Sequence, residues 1–153
     1  MHATAIWEGG YRSRLNDGRG HELLVDLPRE EGGGDVGTSA LELQALALAG
    51  CISTIFALVA ERRRLAFDAL SVRLTAERPK GAPTVTAVRG TLHLSTSASI
   101  EEVDTCLRLT VRTCPVGVLF ERAHVPVRVR AVLEPPRGAP TSASVPATGA
   151  FPA

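Results

Sequence analysis

Two of the three cysteines in this 153-residue chain stand where a thiol could react. Cys51 lies inside an apolar, helix-like run, and Cys114 directly precedes a proline. They are 63 positions apart, so no local zinc or redox motif joins them and only the fold could bring the thiols together. The pair therefore predicts a two-thiol redox site, provided that the fold does so.

A thiol attacks as its thiolate, so each cysteine must be able to ionise. Cys114 is predicted to begin a short helix, where unpaired amides and the positive end of the helix dipole favour a thiolate. Cys51 lies about three turns inside its own helix, where burial disfavours ionisation unless a cation lies close. Such a site needs an arginine for Cys51 and a carboxylate to orient that arginine. A hydroperoxide could then oxidise Cys51 to a sulfenic acid, Cys114 could condense with it to form a disulfide, and an external dithiol could reduce that bond.

The elements that would position these thiols are predicted from alternation, helical spacing and turn residues. We predict three strands at residues 3–7, 11–15 and 21–27, followed by a glycine-rich loop at 28–37 and a long helix at 39–64. A hairpin at 70–95, a second helix at 99–114, a short helix at 116–123 and a last strand at 125–133 follow. Ser39 with Glu42, and Ser99 with Glu102, form S-x-x-E patterns that predict capped helix starts. Glycines so dense in the loop are expected to leave its backbone unrestrained unless something binds it.

The long helix carries no charged residue between Leu43 and Ala60. That run only just reaches the length of a membrane span. A helix that is apolar all round is also typical of a buried core or an oligomer interface, and we favour that interpretation. Residues 135–153 are rich in proline, alanine and serine and are predicted to form a disordered tail after a single domain at 1–134.

Composition excludes several classes of function. A net charge of +1 with scattered arginines argues against nucleic-acid binding. Three cysteines are too few for a disulfide scaffold, and the N-terminus has no apolar signal core, so we expect a cytoplasmic protein. The four histidines have no ligand spacing to each other or to the cysteines, so no metal site is predicted.

Two motifs resemble those of the OsmC/Ohr family of thiol-dependent hydroperoxide reductases. The segments GTSALEL at 37–43 and ALAGC at 47–51 are similar to its helix-entry and first-cysteine motif, and TCPV at 113–116 is similar to its second-cysteine motif. The resemblance covers about residues 3–134. It implies an α+β, OsmC-like fold with antiparallel sheets around two central helices, in an intertwined homodimer with its active sites near the subunit interface.

The same resemblance implies that Cys51 is the peroxidatic cysteine and Cys114 the resolving cysteine. The expected substrate is a small organic hydroperoxide, the expected reductant an external dithiol such as a lipoyl group, and no metal, haem or flavin is expected. The alternative is an OsmC-like binding or structural protein that keeps the thiols without efficient peroxidase activity.

The chain departs from the family pattern at the groups that support the thiols. The organic-hydroperoxide branch has a carboxylate where this chain has Leu41, and Glu42 lies one residue later, which turns a helical side chain by about 100°. Glu42 is as well explained as the capping partner of Ser39. Both Arg12 and Arg29 resemble arginine positions of the family, and we favour Arg12. Cys106 is predicted to be core.

Overall fold

The structure is a computed structural model that describes residues 1–136, and it confirms the α+β class. Two three-stranded sheets and three α-helices lie in this range. Their bounds are β1 Thr4–Gly9, β2 Arg12–Asn16, β3 Glu22–Val25, α1 Ala40–Arg63, β4 Ala69–Glu77, β5 Ala87–Ser95, α2 Ile100–Thr113, α3 Pro115–Arg122 and β6 Val127–Glu134, with a 3₁₀ turn at Arg29–Glu31. Apart from its first two residues, the predicted tail at 135–153 lies outside the described residues.

The first sheet is antiparallel, in the order β1-β2-β3. Directly paired residues share a face of a sheet, and the register places one mostly apolar row on one face: Ala5, Trp7, Ser13, Leu15, Leu23 and Val25. Within residues 1–136, neither a helix nor the second sheet packs extensively against that row. Trp7 and Leu23 are consequently 71% and 44% exposed, so most of this face lacks a cover within the described residues, although Val25 at the end of the row is buried.

The second sheet has the order β4-β5-β6 and corrects one prediction. β4 and β5 form the expected antiparallel hairpin, but β6 runs parallel to β5, so the sheet is mixed and not antiparallel. The strands are parallel because of the connection between them. Helices α2 and α3 lie between β5 and β6, and such a helical crossover carries the chain back to the edge of the sheet where β5 began, so that β6 runs in the same direction.

The core lies between the inner face of this second sheet and the helices. Helix α1 contributes Leu48, Ile52, Phe56 and Ala60, which recur every four residues and therefore line one side of the helix. By length and composition alone, α1 could also cross a membrane, with a mean hydropathy of 2.1 over its most apolar window. Its buried row packs against α2, α3 and β4, and 22% of that window is buried within the described residues.

The glycine-rich loop between β3 and α1 is held in place, contrary to the prediction of an unrestrained backbone. A Cβ added to Gly33 would lie 1.9 Å from the carbonyl oxygen of Leu27, and one added to Gly37 would lie 2.4 Å from that of Leu24. The loop thus packs onto the backbone around β3 so closely that only glycine fits at these two positions.

Candidate active site

The fold brings Cys51 and Cys114 together. Cys51 lies in the middle of α1, Cys114 lies at the junction of α2 and α3, and their Sγ atoms are 2.7 Å apart. Both cysteines are reduced in this structure. Because the two sulfurs are already in contact, a disulfide between them needs only a small side-chain adjustment.

Cys114 begins a short helix, as predicted, but this position does not lower the pKa of its thiol. Cys114 is the N-cap of α3, Pro115 is the first helical residue, and the Gly117 N–H donates to the Cys114 sulfur over 3.3 Å. Burial, followed by the contact with Cys51, nevertheless raises the pKa of Cys114 to about 11, although the Gly117 and Val116 N–H groups act in the opposite direction. Desolvation therefore outweighs the helix terminus, and Cys114 stays a thiol at neutral pH.

The two thiols consequently differ in what they can do. The Cys114 S–H donates a hydrogen bond to the sulfur of Cys51. Cys114 is fully buried, whereas Cys51 is partly exposed. Only the sulfur of Cys51 can meet a molecule that arrives from solvent, and the proton that Cys114 keeps would stabilise negative charge on it.

A mostly apolar cavity of about 410 Å³ lies between α1 and α3, and its lining contains neighbours of both cysteines in the sequence but neither cysteine itself. Ala47 lies one helical turn before Cys51 on the same side of α1, and Val116 follows Cys114 by two residues. The remaining lining is mostly apolar as well: Gln44, Thr84, Val85, Leu119, Phe120, Ala123 and Val125. The cavity can accept an organic group within one helical turn of Cys51 along α1.

Glu42 is committed to the start of α1. One of its carboxylate oxygens accepts hydrogen bonds from the Ser39 N–H, the Ser39 hydroxyl and the Thr38 hydroxyl at 2.7, 2.8 and 3.2 Å. The bonds from Ser39 and Thr38 lower the pKa of Glu42 despite some burial. This is a complete capping box, and Glu42 makes no contact with an arginine in the described chain.

Neither candidate arginine reaches the thiols within residues 1–136. Arg12, on β2, has its Nε 3.6 Å from a Glu8 carboxylate oxygen, and Arg29 begins the exposed 3₁₀ turn. No hydrogen bond or ion pair in this range joins Arg12 or Arg29 to Cys51. The assignment of an arginine to Cys51 thus stays a prediction.

Sequence reasoning missed Asp26, the residue that holds the glycine-rich loop. Asp26 is only 5% exposed, and its carboxylate accepts the N–H groups of Leu27, Gly34 and Val36. A signal was present: an acidic residue ends an apolar strand just before a glycine-rich segment, whose backbone N–H groups need acceptors.

Cys106 is fully buried on α2, as predicted for a core residue. Burial raises its pKa, an effect that the nearby Arg63 opposes only in part. Among the described residues, no group of three histidine, cysteine or acidic side chains could hold a metal ion.

Fold and thiols together define an α+β protein with a two-cysteine site. Residues 32–130 match the family described as OsmC-like protein, and because the match covers more than half of the chain, the chain belongs to this family. No curated protein matches the chain.

Solved structures share this fold. An OsmC-like protein from Mycoplasma pneumoniae has a TM-score of 0.77 at 15% identity over 86% of this chain and 95% of that protein. An organic hydroperoxide resistance protein OsmC from Legionella pneumophila has a TM-score of 0.70 at 21% sequence identity, and the match covers 85% of this chain and 94% of that protein. A third structure is a putative organic hydroperoxide resistance protein from Vibrio cholerae with captopril bound in one of its active sites. It has a TM-score of 0.66 at 22% sequence identity, and the match covers 86% of this chain and 91% of that protein.

Proposed function

We propose that this protein is a cysteine-based peroxidase that reduces organic hydroperoxides. The observation that carries the proposal is the 2.7 Å contact between the sulfurs of Cys51 and Cys114, two residues with no local connection in the sequence. A pair of reduced thiols in contact, with one of them open to solvent, is what a two-cysteine redox cycle requires.

The cycle has three steps. The Cys51 thiolate attacks the terminal oxygen of ROOH, the O–O bond breaks, the alcohol ROH leaves, and Cys51 becomes a sulfenate. After this sulfenate takes up a proton, the Cys114 thiol attacks its sulfur, a disulfide forms and water leaves. An external dithiol, of which a lipoyl group is one example, then reduces the disulfide by thiol–disulfide exchange and is itself oxidised.

The apolar cavity lined by Ala47 and Val116, which are neighbours of the two cysteines in the sequence, supports an organic substrate over hydrogen peroxide. Its lining is mostly apolar, and burying each methylene of a substrate contributes about 0.8 kcal/mol. Hydrogen peroxide has no group to fill this space. We therefore propose an aryl or alkyl hydroperoxide as the substrate class.

We further propose that the active protein is a cytoplasmic homodimer. Within residues 1–136, Trp7 and Leu23 on the apolar row of the first sheet are exposed, and so are Leu46 and Leu58 on α1. Exposed apolar surface of this extent favours association. As part of this proposal, the Arg12 of one chain supports the Cys51 thiolate of the other, since no hydrogen bond or ion pair within residues 1–136 joins Arg12 to the Cys51 of its own chain.

Complementation tests the placement of Arg12 in trans. Chains with Arg12→Gln and chains with Cys51→Ser are each expected to be slow, but in a mixed dimer one site keeps both an intact Arg12 and an intact Cys51. We expect unfolding and refolding the two variants together to restore up to about a quarter of the wild-type rate per chain, since half of the dimers are mixed and each has one complete site. A mixture no faster than the separate variants would contradict Arg12 acting across the interface.

A second candidate is an OsmC-like protein that binds ligands without efficient peroxidase activity. Two observations favour it: Leu41 stands where the peroxidase branch has its carboxylate, and Glu42 is occupied by the helix cap. The two candidates differ in the rate at which peroxide consumes thiols.

The deciding experiment mixes reduced protein with cumene hydroperoxide or hydrogen peroxide and follows free thiols over time. We expect the wild type to lose two thiols for each cumene hydroperoxide and to react more slowly with hydrogen peroxide. Cys114→Ser is expected to stop at a trappable sulfenic acid, and the matched control Cys106→Ala is expected to behave as wild type. If wild type lost thiols no faster than Cys51→Ser, the peroxidase proposal would be wrong.

A further inference from the structure

A groove of about 790 Å³ lies between helix α2 and the strands β5 and β6. Neither Cys51 nor Cys114 lines it, so the groove is separate from the thiol site. Its apolar lining residues come from both the helix and the sheet: Gly90, Leu107, Val111, Val127 and Val129. Its charged lining residues are five arginines and one acid, and we therefore name it the arginine groove: Arg89, Arg108, Arg112, Arg128, Arg130 and Asp104.

Two pairs of like charges meet at the arginine groove. Arg108 and Arg112 lie four residues apart on α2, and Arg89 on β5 is the register partner of Arg128 on β6. Like charges at either spacing destabilise the helix or the sheet that carries them. An anion that binds between these charges relieves the repulsion.

The chain neutralises little of this charge within residues 1–136. Arg89 has its Nε 3.0 Å from a Glu77 carboxylate oxygen, but the other four arginines of the groove form no ion pair in this range. Asp104 lies one helical turn before Arg108, yet the Arg108 guanidinium donates to the Thr105 hydroxyl at 3.0 Å. Most of the guanidinium groups are thus available to an anion from outside the described chain.

The size and shape of the groove favour a small amphiphile over a macromolecule. Its volume falls in the range of small-molecule sites, roughly 300–1,000 Å³. A neighbouring cavity of about 430 Å³ shares Val111, Arg112 and Val127 with it, so the space continues along α2 towards α3. An elongated space with apolar walls suits a chain of methylenes. The guanidinium groups suit a carboxylate or phosphate head, which arginine binds through two parallel N–H bonds.

We propose that the arginine groove binds an anionic amphiphile, a molecule with a carboxylate or phosphate head and a single acyl chain. The arginines hold the head, and the chain lies along the apolar lining between α2 and β6. A long-chain fatty acid and a lysophospholipid both have this chemistry. The inference goes beyond the proposed function and does not depend on it, because no thiol takes part in binding.

The test titrates the full chain into undecanoic acid that carries a dansyl group at its chain end, whose emission rises when the dansyl group leaves water. We expect saturable binding, and displacement of the probe by oleate or by oleoyl lysophosphatidate, each kept below its micelle concentration. The stronger of these two competitors identifies the head. Oleyl alcohol, which has the same chain and no charge, should compete at least about tenfold more weakly, because it loses the charge-assisted hydrogen bonds.

Variants distinguish the groove from the apolar cavity between α1 and α3. Arg108→Gln with Arg112→Gln should weaken probe binding about tenfold or more. Arg62→Gln with Arg122→Gln removes the same charge from exposed arginines that line no cavity described here, and it should leave binding unchanged. Leu119→Gln alters the other cavity and should also leave binding unchanged. Equal losses in the two double variants, or a loss with Leu119→Gln alone, would overturn the proposal.

The α2 variant is expected to fold, because it removes a pair of like charges. If it did not fold, Arg128→Gln with Arg130→Gln supplies the same test from β6 and should weaken binding by a similar factor. A short single-stranded DNA serves as the last competitor. Displacement of the probe by this DNA but by neither oleate nor oleoyl lysophosphatidate would identify a nucleic-acid surface, and absence of saturable probe binding would also overturn the proposal.

Discussion

Alkaline pH should destabilise the reduced protein through Cys114. Its pKa in the folded chain is about 11, against an ordinary value of 9.0. The folded state therefore holds this proton more tightly than the unfolded state does. Stability that is fully present below pH 9 is lost as the pH rises from about 9 towards about 11, and a difference of two units corresponds to about 2–3 kcal/mol.

The assay is urea unfolding of the reduced protein at several pH values between 8 and 11, with Cys114→Ala as the matched variant. Lysine, tyrosine and other groups titrate in the same range, but they are common to both proteins. The difference between the two free energies of unfolding thus isolates Cys114. We expect wild type to lose about 2–3 kcal/mol more than the variant across this range. Parallel curves from pH 8 to 11 would refute the conclusion that burial outweighs the helix terminus.

Three further predictions concern the fold and its assembly. Gly33→Ala should cost about 2 kcal/mol or more in urea unfolding, because its Cβ would lie 1.9 Å from the Leu27 carbonyl and backbone must move; an unchanged midpoint would mean that the loop is not packed as described. Ser99→Ala, which breaks the capping box with Glu102 at the start of α2, should cost about 1 kcal/mol and lower the melting temperature without changing thiol chemistry. Leu23→Lys, on the apolar row of the first sheet, should shift the sedimenting species from two chains to one, whereas Ile6→Lys on the opposite, polar face should not; equal behaviour of the two variants would contradict that row as the interface.

Local signals in the sequence predicted the elements well. Ser39 with Glu42 and Ser99 with Glu102 form the capping boxes that their spacing indicates, and the Cys-Pro pair begins a helix as expected. The parallel pairing of β6 could not be obtained from alternation, because alternation reports which face is buried and not which way a neighbouring strand runs. The loop at 28–37 was predicted at the correct position, but the prediction that its backbone is unrestrained was wrong. Asp26 and close backbone packing hold the loop in place.

The two-thiol site of Cys51 and Cys114 was a hypothesis from the residues that the family resemblance strengthened, whereas the local argument that a helix start favours a Cys114 thiolate is outweighed by burial. A helix terminus can be seen in the sequence, whereas the burial that opposes it is a property of the assembled core. The same applies to Asp26 and Arg12: Asp26 follows β3, Arg12 begins β2, and both line one cavity. Charges that act between elements are set by tertiary structure, and sequence spacing does not report them.

The raised pKa of Cys114 is useful in the proposed cycle rather than a defect in it. A thiol that keeps its proton does not compete with Cys51 for the peroxide, and it donates a hydrogen bond to the Cys51 sulfur before the attack. Once Cys51 carries the sulfenic OH, the condensation needs a proton to release that group as water, and the Cys114 S–H beside it can supply one. The buried thiol is therefore suited to act second, and the partly exposed thiol is suited to act first.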